Sequence, residues 1–177
     1  MEMVHAAERG NLVVSTGPFM TVEVVSLSSN GKVTGAGPGD DLVAMDSELS
    51  LKIRVQCPNW FDINRVQVFV NGRPEESLNF TRKTTPEKFS DETVRFDATV
   101  PLPLITDVHV IVAAIGEGLE LGPVMGPNYG GKLPPAAVSN PIFIDVDGNG
   151  FQANGDLLEV PLPIDPSKPI SKKFGTR

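Results

Sequence analysis

The chain has 177 residues, 40% of them hydrophobic, and 15 basic against 22 acidic side chains give a formal net charge of −7. That length suits one domain with a core of its own, and the acidic balance argues against a nucleic-acid or anionic-membrane partner. The single cysteine, Cys57, excludes an internal disulfide framework and a cysteine-rich zinc site.

Residues 2–9, EMVHAAER, are the one helical stretch expected, because Gly10-Asn11 would stop it. After it, 16 Pro and 17 Gly interrupt the chain too often for long helices. Apolar residues instead recur with the period of a half-buried strand. MTVEVVSL carries that period first. LSLKIRVQ then sets Leu49, Leu51, Ile53 and Val55 on one face, and RVQVFV does the same with Val66, Val68 and Val70. VRFDATV repeats it with Val94, Phe96, Ala98 and Val100. VHVIVAAI is almost continuously apolar, as for a strand covered on both faces, and PIFID and LLEV read as the last two strands. Asn30-Gly31 and Asn71-Gly72 are hairpin dipeptides, and Trp60 is expected to cap the core. The pattern predicts an all-β fold, an immunoglobulin-like antiparallel β-sandwich of about seven to eight strands. Residues 1–11 form a short helical junction, residues 12–160 the sandwich, and residues 161–177 an extended Pro/Lys-rich tail.

Chemistry is harder to find. The two histidines, His5 and His109, have no acidic partner at metal-binding spacing. Cys57 precedes a proline rather than opening a helix that would activate it. GEGLELG, residues 116–122, lacks the lysine and the helix of a phosphate cradle. The stretch that invites a functional reading is DVDGNGFQANGD, residues 145–156. Set against a twelve-residue calcium loop, Asp145, Asp147 and Asn149 take positions 1, 3 and 5, and Gly150 takes the sharp turn. Phe151 offers its carbonyl, and Asp156 closes the loop. The flanks are strands rather than helices, so a structural calcium would lock a strand–loop–strand unit. The alternative is a metal-free turn in which Asp and Asn side chains bond their own backbone. No catalytic residue and no organic cofactor is assigned.

Four stretches in order, AAERGNLVVSTGPFMTVEV, GAGPGDDL, PNWFDINRVQVFVNGR and SNPIFIDVDGNGF, resemble the C-terminal region of CehA/McbA-type metallohydrolases, relatives of the PHP-domain phosphoesterases. Asn11 departs from the arginine common at its position. In that family the metal-ligating His and Asp residues lie in an upstream hydrolase domain, and nothing in this chain replaces them. The resemblance therefore implies a non-catalytic accessory sandwich whose partner is the upstream hydrolase domain of the same parent chain, secreted or periplasmic, absent here. The isolated chain is then expected to hydrolyse neither phosphodiesters nor carboxylic or carbamate esters. The rival expectation is a free-standing, calcium-stabilised binding or adhesion module of a secreted protein.

Overall fold

Side chains at every second position point to the same face of a strand, so each apolar alternation above needs a second layer to cover it. A computed structural model describes residues 2–45, 47–126 and 129–156. The helix α1 (Glu2–Glu8) is followed by β1 (Val13–Ser15), β2 (Phe19–Ser28), β3 (Val33–Ala36), β4 (Asp41–Val43), β5 (Ser47–Gln56) and β6 (Arg65–Val70). Then come β7 (Arg73–Thr81), β8 (Val94–Pro101), β9 (Val108–Ile115), β10 (Ala136–Ser139) and β11 (Ile142–Asp145).

The smaller sheet runs β3-β2-β5-β8 and is antiparallel throughout. The larger is built around β9. One edge of β9 takes β6, from Arg65↔Ile115 to Val70↔Val110, and β6 takes β7. Its other edge is divided, with β10 on Ala113–Ile115 and β11 on Val108–Val110. Ser139 closes the gap between them: its Oγ accepts the Val112 amide at 2.9 Å. Without that hydroxyl a buried N–H would be left unpaired. β1 extends the sheet beyond β10, and β4 lies parallel to β11 at the other side.

Between the sheets Leu51, Ile53, Val55 and Phe96 meet Val66, Val68, Val110, Val112, Ile142 and Ile144, none more than 1% exposed. The chain thus forms the all-β, immunoglobulin-like sandwich that its alternation calls for. Its described residues hold eleven strands where the pattern gives seven or eight: β1, β3, β4 and β10 are only three or four residues long, and the nine-residue β7 alternates in burial only towards its end. The LLEV strand and the 161–177 tail lie outside the described residues.

Three positions depart from expectation. Trp60 does not cap the core. It is 49% exposed and touches Phe61 only edge-on at 6.2 Å, while Phe61 itself is buried. Arg95, alternating with Phe96 in β8, is buried as well. It donates to the carbonyls of Glu92 at 2.5 Å and Pro58 at 3.1 Å, and its Nε lies 3.1 Å from Asp62 Oδ1 as an ion pair rather than an aligned hydrogen bond. The outer face of β9 (His109, Ile111, Ala113 and Ile115) is only half-buried, not covered.

The junction is tightly made. Gly10, at φ +80°, closes α1 with Gly10 N–H on Ala7 O and Asn11 N–H on Ala6 O, the paired bonds of a left-handed helix end. Asn11 Nδ2 then donates to Pro38 O at 2.9 Å and Asp40 Oδ1 at 2.7 Å, and Asn140 Nδ2 donates to Gly10 O at 3.0 Å. Gly39 packs so closely here that a Cβ on it would sit 2.4 Å from Gly10 C. The helix itself buries nothing: Met3 is 87% and Val4 59% exposed.

Candidate functional site

The loop after β11 is organised by three carboxylates. Asp145, the last residue of β11, is buried; its Oδ1 accepts the Gly148 amide at 2.7 Å and its Oδ2 the Gly150 amide at 2.9 Å. Both glycines have positive φ, +78° and +97°, which is why the turn needs glycine there. Asp147 accepts the Asn149 amide at 3.0 Å and the Asn149 Nδ2 at 2.6 Å. Asp107, the residue before β9, accepts the Val146 amide at 3.0 Å and the Gln152 amide at 2.8 Å, so it clips the loop on both sides. Oxygens of Asp107, Asp145 and Asp147 all lie within 4.8 Å of one another.

The other sequence-predicted positions sit further out. Phe151 lays its ring edge-on against Phe143 at 5.0 Å, which pins the loop to the outer face of β11. Asp156 is held by Arg73 through a two-pronged pair, Nε to Oδ2 at 2.5 Å and Nη2 to Oδ1 at 2.8 Å. The structure therefore brings Asp145 and Asp147 together, with Asn149 beside them, and puts the Asp156 carboxylate on the β6–β7 hairpin. Asp107 is the member that sequence reasoning missed. No local pattern marks it; only the register Val108↔Ile144 between β9 and β11 carries it to the loop.

Three clustered carboxylates repel one another unless a cation or a set of N–H donors faces them. At Asp145 burial pushes the carboxyl pKa up, but the amides of Gly150, Gly148 and Asp147, with the Asp147 side chain, outweigh it and hold the group below its ordinary value. The aligned bonds from Gly148 and Gly150 fall one on each Asp145 oxygen, and a carboxylate oxygen has a second lone pair. An all-oxygen donor set of this kind suits a hard cation such as calcium better than zinc or copper, which favour nitrogen and sulfur ligands.

Among the described residues no nucleophile is assembled with a base. Cys57 is buried, and burial together with the nearby Asp62 charge pushes its thiol up to about 11. His5 is exposed and meets only Glu8, at 3.1 Å. His109 lies half-buried beside Phe143, and burial lowers its pKa. No described helix is long and apolar enough to cross a membrane. No family model, curated protein or solved structure matches the chain.

Proposed function

We propose that this chain is a non-catalytic accessory β-sandwich of a PHP-type metal-dependent hydrolase, its last loop locked by a structural calcium ion. The observation that carries the reading is α1. A seven-residue helix is too short to be stable on its own, yet this one turns Met3, Val4 and Ala7 to solvent while its C-terminal end is fixed by Gly10, Asn11 and Asn140. A helix that belonged to a free-standing module would bury that apolar side on its own sandwich. One held firmly at its base and bare along its side is suited to cover another domain, and the resemblance of the chain's motif order to that of metallohydrolases supports a hydrolase as that domain. At the loop, Asp107, Asp145 and Asp147 would hold the calcium, whose part is to neutralise them and fix the turn.

The test uses the hydrolase domain encoded in the same reading frame, expressed separately and mixed with this chain. Met3→Glu with Val4→Glu should leave the melting temperature of the sandwich within about 1–2 °C, as expected for exposed sites. The same pair should abolish association with the hydrolase domain. A reading frame without a His- and Asp-rich metal-binding domain, or association indifferent to both charges, would defeat the proposal.

A further inference from the structure

Along half of β2 one edge has no strand paired to it. β2 pairs with β5 along its whole length, from Phe19↔Gln56 to Ser28↔Ser47, but with β3 only over Val24–Leu27. Ladder alternation identifies the groups left over. Ser28 turns its amide to the β3 side, donating to Lys32 O at 3.0 Å, so Ser26, Val24, Val22 and Met20 turn the same way. Alongside Val22 and Met20 that neighbour is gone. β3 stops at Ala36, and Gly37-Pro38 follows, where proline has no N–H to continue a ladder. The backbone N–H and C=O of Met20 and Val22 are left without a partner among the described residues.

These groups line a groove of about 570 Å³ whose walls include Leu12, Val13 and Pro38. Phe19 stands at its rim, 63% exposed, and Asp40 is the one charged side chain along it among the described residues. We propose that the groove binds an extended segment of a partner protein, which adds a strand to β2 in the place that β3 vacates. Free main-chain donors and acceptors at alternate residues specify a strand rather than a helix or a small molecule. The open run Phe19–Glu23 fits about five residues, ~17 Å of extended chain. Residues opposite Met20 and Val22 would point between the sheets, as Ala36 does opposite Val24. They are therefore apolar and two positions apart. The residues between them face solvent, and Asp40 makes them neutral or basic rather than acidic.

The probe is an acetylated, amidated heptapeptide, lysine-valine-threonine-valine-lysine-valine-threonine, titrated into the isotope-labelled chain. At saturation the Met20 and Val22 amides should exchange with solvent about tenfold more slowly, and methylating two successive valine nitrogens of the peptide should weaken binding by about tenfold or more, as loss of two main-chain hydrogen bonds implies. A peptide with glutamate in place of lysine should bind more weakly. Unchanged exchange at Met20 and Val22, or equal binding of the methylated peptide, overturns the site. Equal or tighter binding of the glutamate peptide overturns the neutral-or-basic partner. Protection of the same amides that rises with chain concentration alone, without peptide, assigns the edge to a second copy and also overturns the proposal.

Discussion

Calcium added to the purified chain should raise its melting temperature, and the loop geometry sets the size of the effect. Asp107, Asp145 and Asp147 place oxygens within 4.8 Å of one another, but backbone amides already occupy part of each carboxylate. That argues for an affinity in the range of extracellular calcium modules, a Kd of ~10⁻⁴–10⁻³ M. At 10 mM calcium, mass action then adds about 1.4–2.7 kcal/mol, since RT ln(1 + [L]/Kd) runs over ratios of roughly 10–100. For a domain of this length each kcal/mol is worth about 2–4 °C, so the rise should be ~3–10 °C. Two variants separate ligation from architecture. Asp147 is exposed, and apart from its contact with Asp145 it accepts from Asn149, which is exposed too, so Asp147→Ala should remove the calcium increment and leave the chelated protein nearly unchanged. Asp107→Ala also frees the amides of Val146 and Gln152, so it should lower the chelated melting point as well. Differential scanning calorimetry with calcium and with chelator is the assay. Identical curves in both would refute the metal and leave a loop held by Asp145 and its amides alone.

Asp62→Ala should cost about 2–3 kcal/mol in urea unfolding, below the full cost of breaking a buried pair because Asp62 is one-third exposed. The substitution strands the Arg95 guanidinium in the fold and removes a partner of Arg82 at 3.0 Å. Cys57, its thiol pushed up to about 11, should stay unlabelled by an aromatic disulfide reagent at pH 8 and react fully once urea unfolds the chain; native labelling would contradict the buried position. His109 should titrate below ~6.5 by NMR, because burial disfavours its charged form. Since the unfolded chain takes up that proton first, the stability linked to His109 is intact above ~6.5 and is lost as the pH falls from there through the folded-state value; His109→Gln should flatten that part of the profile.

Most of the long strands were legible because burial in a two-layer sandwich repeats with the pleat; β7 was not, since its buried positions are confined to Leu78 and Phe80. Leu51, Ile53 and Val55, or Val66 and Val68, can hardly be read any other way. Asn71-Gly72 announced its hairpin for an equally local reason: φ values of +51° and +76° are what that turn requires. What could not be read was which strands become neighbours. Period two assigns faces, not partners, so the splitting of one β9 edge between β10 and β11 left no trace in the sequence. Asp107 was invisible for that reason, and so was the capture of Asp156 by Arg73, a residue of the far hairpin. Trp60 was misjudged on residue type alone: the buried positions Val55, Cys57, Phe61 and Ile63 keep one phase, and Trp60 is out of step with them.

One short strand links the junction at α1 to the carboxylate loop. Asn140 and Pro141, just ahead of β11, hold the junction: Asn140 Nδ2 takes Gly10 O, and the Pro141 carbonyl accepts the Gly39 amide at 2.8 Å. Four residues later Asp145 ends the strand and opens the carboxylate loop. On its flanks β11 has three residue pairs with β9 and three with the edge strand β4. So short a strand draws little from its ladders and much from what fixes its ends. Neutralising the three carboxylates would remove the repulsion at one end, and the Asn140 contacts anchor the other against the base of α1. A cation at the loop would in this way stiffen the element that sets the helix in place, which gives a structural ion a purpose in the accessory module proposed above.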